Sequence, residues 1–232
     1  AKSRKVHATA GTLDVPIDIG LPVSGSISIE PREIGISHTV VFQFDGPVTS
    51  VSGVTMVDGA GTAIGSISAT TISGNDVSVV ISNIPNSTRS SITLTGIDGA
   101  GTASISLGFL NGDVDADGVV TQADVSAIKA QSARAANPGS AKLDLNTSGV
   151  INAVDIAIAK ANLGFQLPTI GQASLMVSTT GTGTGQIVST PAGIACPGAC
   201  SANFASNATI QLVAAPAVGS TFTSWSGDCS GS

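Results

Sequence analysis

The chain has 232 residues, and its 9 Lys and Arg against 15 Asp and Glu leave a net charge of −6, so no basic stripe exists for phosphates and nucleic acid is not expected as a partner. Only 10% of residues are charged and 3% aromatic, with no Tyr, one Trp and 28 Gly, the texture of a secreted β-rich protein rather than a cytosolic helical enzyme. No run of about 18 apolar residues is present, so no membrane span is expected; the N-terminus lacks a signal-peptide core, and a start at Ala1 reads as a processed form or a piece of something longer.

From residue 1 to about 110, short β-branched runs recur: "HTVVFQF", "SVSGVTMV", "AIGSISATTI", "DVSVVISNI" and "SSITLTGI". They are separated by Gly-, Asn- and Asp-rich segments that supply the positive-φ positions of tight turns, which predicts an antiparallel β-sandwich. The phrase "DGAGTA" occurs at 58–63 and again at 98–103; no helical pattern follows either copy, so it reads as a recurring turn and not as a phosphate cradle. His7 and His38 are candidates for a catalytic pair with Asp45 or a nearby Ser. No nucleophile motif accompanies them, and they are expected to be two partly exposed strand residues. The acidic residues outside 112–155 are scattered, so no carboxylate pair for glycoside hydrolysis emerges, and a lone Trp225 gives no stacking platform for sugars. The chain is not expected to be an enzyme. Its opening segment, "AKSRKVHATAGTLDVPI", reads as an extended strand available for donation to a neighbouring sheet edge, which would support self-association into fibres.

The texture changes at "GDVDADGVVTQAD". With Asp113 as position 1 of a calcium loop, Asp115 falls at 3, Asp117 at 5, the Val119 carbonyl at 7, Thr121 at 9 and Asp124 at 12, with Gly118 at the sharp turn of position 6. The spacing returns in "LDLNTSGVINAVD": Asp144, Asn146, Ser148, the Val150 carbonyl, Asn152 and Asp155, with Gly149 at position 6. Calcium wants six to eight oxygens, and such loops wrap it while the first helical turn delivers the last carboxylate. Asp-Gly turns and helix N-caps would explain Asp124 or Asp155 singly, but not the aligned oxygen donors in duplicate. Two calcium ions are therefore expected, and repulsion within the acidic loop makes the metal part of what folds this segment. Helical spacing follows each loop, through Val125 and Ile128 and then Ile156, Ala159 and Leu163, with Pro138-Gly139 ending the first helix and Gly164 the second. No helix enters loop 1, because "SISLGFLN" reads as strand, and Asp stands at position 12 in place of the usual Glu.

Loop plus exiting helix, twice, with Asp at position 12, resembles a dockerin domain over residues 112–164. The resemblance implies a small calcium-dependent module of a secreted bacterial protein that docks into a cohesin partner. Where such dockerins usually carry Ser-Thr, this chain has Gln122-Ala123 and Ala153-Val154; Lys129 and Lys160 match a frequent basic position and are the partner-binding candidates. The alternative is that the pair serves as a structural clip.

After "FQLPTIGQ" the period-two texture resumes in "ASLMVSTT", "GQIVSTPAG" and "ATIQLVAAPA". Cys196, Cys200, Trp225 and Cys229 in this stretch are similar to those of divergent internalin-type B-repeats of bacterial surface proteins. That resemblance implies a fourth Cys beyond residue 232 and a Cys196–Cys200 disulfide, with a bond from either to Cys229 as the alternative. Residues 1–110 resemble Ig-like repeats. The whole is expected to be a mainly β, multi-domain chain: an Ig-like antiparallel β-sandwich (1–110), a small α dockerin-like pair of calcium loop-helix units (111–164), a linker (165–172) and a C-terminal small β module (173–232). The function implied is a non-catalytic calcium-binding structural or adhesive segment, extracellular or on the bacterial cell surface, with a protein partner or self-association. The alternatives are a true dockerin, or the accessory tail of a secreted polysaccharide-degrading enzyme.

Overall fold

Apolar residues that alternate along a strand point to one face of it, and in Asp76–Ser82 this buries Val77, Val79 and Ile81 together. The strands of the sandwich are β1 (Lys2–His7), β2 (Gly11–Pro16), β3 (Ile29–Glu30), β4 (His38–Gln43), β5 (Gly53–Asp58), β6 (Ser66–Ser73), β7 (Asp76–Ser82), β8 (Thr88–Ile97) and β9 (Gly101–Phe109); in β1 the buried alternate residues are the polar Ser3, Lys5 and His7, and β6 is largely exposed. One sheet has the order β2-β1-β4-β7-β6 and the other β3-β9-β8-β5. Val40, Val77 and Ile81 from the first meet Ile92, Leu94 and Leu107 from the second in a common core. The chain is mainly β as expected, but the sandwich is not wholly antiparallel, since β3 joins β9 in parallel; both "DGAGTA" copies are turns, with Asp58 accepting from the Ala60 and Thr62 amides in the first. The structure is a computed structural model that describes residues 1–33, 37–170, 172–205 and 208–227; two compact units emerge, Ala1–Thr169 and Ile170–Ser232.

Two expectations for the sandwich are corrected. The opening segment is no free strand: β1 lies inside its sheet, paired with β2 from Lys2↔Pro16 to His7↔Gly11 and with β4 on its other side. The histidines are not partly exposed; both are fully buried. His38 packs edge-on against Phe109, with ring centroids 5.2 Å apart, and neither of its nitrogens has a hydrogen-bond partner among the described residues. Burial, reinforced by the charges of Lys5 and Arg32 and opposed by Glu30, pushes it down to about 4. The fold therefore holds His38 neutral while the unfolded chain takes up a proton near pH 6.5. Stability is full above about pH 6.5 and is lost as the pH falls towards 4, by about 3 kcal/mol in all. Denaturant titrations of wild type and His38→Leu between these pH values check this: the variant is expected to lack that component of the acid slope.

Below the sandwich the same unit continues into α1 (Gln122–Ala130), β10 (Arg134–Ala135), β11 (Val150–Ile151) and α2 (Ala153–Ala161). Val114, Val125, Ile128, Leu145, Ile151 and Ala159 form the core of this pair. The first helix stops at Ala130, well before Pro138-Gly139, because Arg134 and Ala135 are taken up in a ladder with Ile151 and Val150. Leu163, expected on the apolar face, is exposed, beyond the end of α2. Two further clusters tie the pair to the sandwich: Ile27, Ile29, Leu110, Val120 and Leu167 in one, and Leu13, Val15, Ala136 and Ala141 in the other.

The second unit holds β12 (Gln172–Met176), β13 (Gly185–Thr190), β14 (Ala195–Cys196), β15 (Ser201–Ala205) and β16 (Gln211–Pro216). β12 pairs with β15, and β14-β13-β16 form a second sheet. Val177, Ile187, Ile194 and Phe204 make its core, with Trp225 packed at the margin. Cys196 and Cys200 are disulfide-bonded. Cys229 lies outside the described residues.

Candidate metal centre

Each acidic loop begins as a turn closed by its own first carboxylate. Asp113 accepts from the Ala116 amide at 2.8 Å and the Gly118 amide at 2.9 Å; Asp144 accepts from Ser148 at 3.0 Å and Gly149 at 2.7 Å. Ligand position 6 requires positive φ, and Gly118 and Gly149 sit at +92° and +87°, where L side chains are strained. Position 4 is left-handed as well, in Ala116 and Thr147, a feature that the spacing alone did not signal.

The loops end on helix caps. Thr121 and Asn152, at position 9, are the N-caps of α1 and α2, and Asp124 and Asp155, at position 12, close the two capping boxes by accepting from the N-cap amides. Asp124 also accepts from the Val114 and Asp115 amides, at 2.8 and 3.1 Å, so it ties the start of the loop to the start of the helix. Both position-12 carboxylates are fully buried.

In loop 1 the structure brings Asp113, Asp115 and Asp117 together, with one carboxylate oxygen from each within 4.8 Å of the others. No other such triplet of acidic, His or Cys side chains is found among the described residues. Asp113 is buried while Asp115 and Asp117 face solvent. Burial, opposed by the Gly118 and Ala116 amides and abetted by the charges of Asp124 and Asp115, pushes Asp113 up to about 7. The protein's own groups thus leave this carboxylate uncompensated, and an all-oxygen donor set of this kind suits a hard divalent cation.

Loop 2 is built differently. Its donors Asn146, Ser148 and Asn152 are neutral, and Ser148 Oγ and Asn152 Nδ2 each donate to the Val150 carbonyl at 3.0 Å. Burial disfavours the Asp144 carboxylate, but the hydrogen bond from His7 and the amides of Gly149 and Ser148 hold it below its ordinary range. Burial raises Asp155. Both loops are gripped by chain outside them: the Leu167 amide donates to the Gly118 carbonyl, the Val120 amide to the Phe165 carbonyl, and the Ala8 amide to the Thr147 carbonyl, all at 2.8–2.9 Å.

The partner-binding candidates are open. Gln122, Ala123 and Lys129 on α1, and Ala153, Val154 and Lys160 on α2, are all exposed. No helix is long and apolar enough to cross a membrane among the described residues.

The family comparisons agree with this anatomy. Residues 111–164 match the model of the Dockerin type I domain, a domain that binds calcium, and residues 175–232 match that of the Divergent InlB B-repeat domain. Searches of the curated proteins and of the solved structures return no match.

Proposed function

We propose that the chain is a non-catalytic, calcium-stabilised structural segment of an extracellular or cell-surface bacterial protein, in which two ions rigidify the junction between β modules. The observation that carries this reading is the triplet Asp113, Asp115 and Asp117, gathered on a loop within the stretch that matches a calcium-binding family. Asp113, Asp115, Asp117, the Val119 carbonyl, Thr121 and Asp124 would hold one ion; Asp144, Asn146, Ser148, the Val150 carbonyl, Asn152 and Asp155 would hold the other. The ion supplies charge compensation and cross-linking of loop to helix, and affinities fall at about 10⁻⁴–10⁻³ M, the range of extracellular modules, with loop 1 tighter.

A second reading is docking of a cohesin-like partner, favoured by the exposed, repeated faces around Lys129 and Lys160. Self-association by donation of the opening segment would require β1 to leave its place between β2 and β4; the exposed β6, bulged between Ile67 and Ala69, is an alternative edge. Size-exclusion chromatography with light scattering, in millimolar calcium and in chelator, tests the proposal. A monomer that is more compact with calcium is the expected result. Calcium-dependent multimers would replace the spacer by an assembly module, and indifference to calcium would overturn the metal reading.

A further inference from the structure

Loop 2 has fewer carboxylates than loop 1, yet it is the loop whose first ligand is fixed from outside. His7 Nδ1 lies 2.6 Å from Asp144 Oδ2, and both side chains are fully buried. The other ring nitrogen, Nε2, lies 3.1 Å from Arg32 Nη1. A guanidinium only donates, so Nε2 accepts and Nδ1 carries the proton that it donates to Asp144. Arg32 is itself locked, by Glu30 at 2.7 Å through two nitrogens and by the carbonyls of Ser3 and Leu13. Two backbone bonds and one side-chain bond repeat the attachment: Ala8 N to Thr147 O at 2.9 Å and Glu33 N to Leu145 O at 2.7 Å, with Thr9 Oγ1 donating to Ser148 O at 3.2 Å.

Glycine space tells the same story. A Cβ on Gly118 would meet nothing within 4 Å, whereas one on Gly149 would strike Thr9 Oγ1 and come within 2.7 and 2.8 Å of the amide nitrogens of Thr9 and Ala10. In loop 1 the donors to Asp113 come from the loop itself. In loop 2 the sandwich supplies one of them.

We propose that His7 is a positioning residue for the second calcium loop, so that the β1–β2 hairpin is a structural part of that site and calcium held there is coupled to the hairpin. The inference rests on the calcium reading of loop 2 above. Groups that orient a metal ligand are worth about 10–100-fold in affinity, and a neutral-rich loop gains most from having its carboxylate aimed in advance.

Calorimetric titration of calcium into the full chain tests it. Wild type is expected to bind two ions. His7→Ala is expected to weaken one site by about 10–100-fold and leave the other as it was, and His7→Asn, whose Nδ2 reaches the place of the imidazole Nδ1, is expected to recover most of the loss. Equal weakening of both sites, or of neither, overturns the proposal. A wild-type chain that binds no calcium overturns the metal reading and this inference together. Should His7→Ala fail to fold, amide exchange on wild type decides: because coupling is reciprocal, calcium is expected to slow exchange at Ala8 and Glu33 by a similar factor, and equal rates with and without calcium overturn the coupling.

Discussion

Transfer of the chain from about 10 mM calcium into chelator is expected to cost residues 1–169 about 3–5 kcal/mol of stability, since a ligand at about ten to a hundred times its dissociation constant stabilises by about 1.4–2.7 kcal/mol per site. For a unit of this size that corresponds to a drop in unfolding temperature of roughly 6–20 °C. Differential scanning calorimetry in the two buffers measures it directly. The physical source is Asp113: buried, pushed up to about 7 by its surroundings, and surrounded by carboxylates that a cation would bind together. Because loop 2 is bonded to the sandwich and loop 1 packs against it through Val120, the loss should appear in the transition of the sandwich as well as in helix content. A transition that does not move between the two buffers would remove the metal from the folding of this unit.

The second large effect is expected at Arg32, which is fully buried with Glu30. Arg32→Met should destabilise the chain by about 3–5 kcal/mol at neutral pH, because it strands a buried carboxylate and the carbonyls of Ser3 and Leu13. Adding Glu30→Met in the same chain should restore part of the loss, since an apolar pair of similar volume often matches a buried ion pair. Urea denaturation of the three chains measures both steps. Wild type carries a corresponding acid signature. Burial works against the charged form of Glu30, but the hydrogen bonds and charge of Arg32 outweigh it and lower the group from 4.5 to about 2. Its contribution is complete above about pH 4.5 and disappears as the pH falls towards 2. The double variant should lack that component.

The metal loops were legible because ligation is local: donors at alternate positions, Gly at position 6 and a capping residue before each helix all lie within one short stretch. The strands β4 to β8 were legible for the same reason, as period-two runs between turn residues. The His7–Asp144 bond was not, since 137 positions separate its partners and only the packing of β1 against loop 2 brings them together. Nor was the hairpin of β1 and β2, whose "ATAG" connection carries no Asn-Gly or Asp-Gly signal. The end of α1 was missed because "QSARAA" is good helix material, and its backbone was claimed instead by Val150 and Ile151.

The grip of Phe165 and Leu167 on loop 1, set beside that of Ala8 on loop 2, bears on how such a chain can be recombined. A gene segment encoding residues 111–164 alone would inherit both sets of ligands and neither of the strands that brace them, leaving Val120 and Leu145 without the partners that cover or bond them here. A segment that keeps those contacts includes the sandwich strands and extends to Thr169. Fusion between lineages should therefore join most cleanly just after the clasp, where the chain passes from one compact unit to the next.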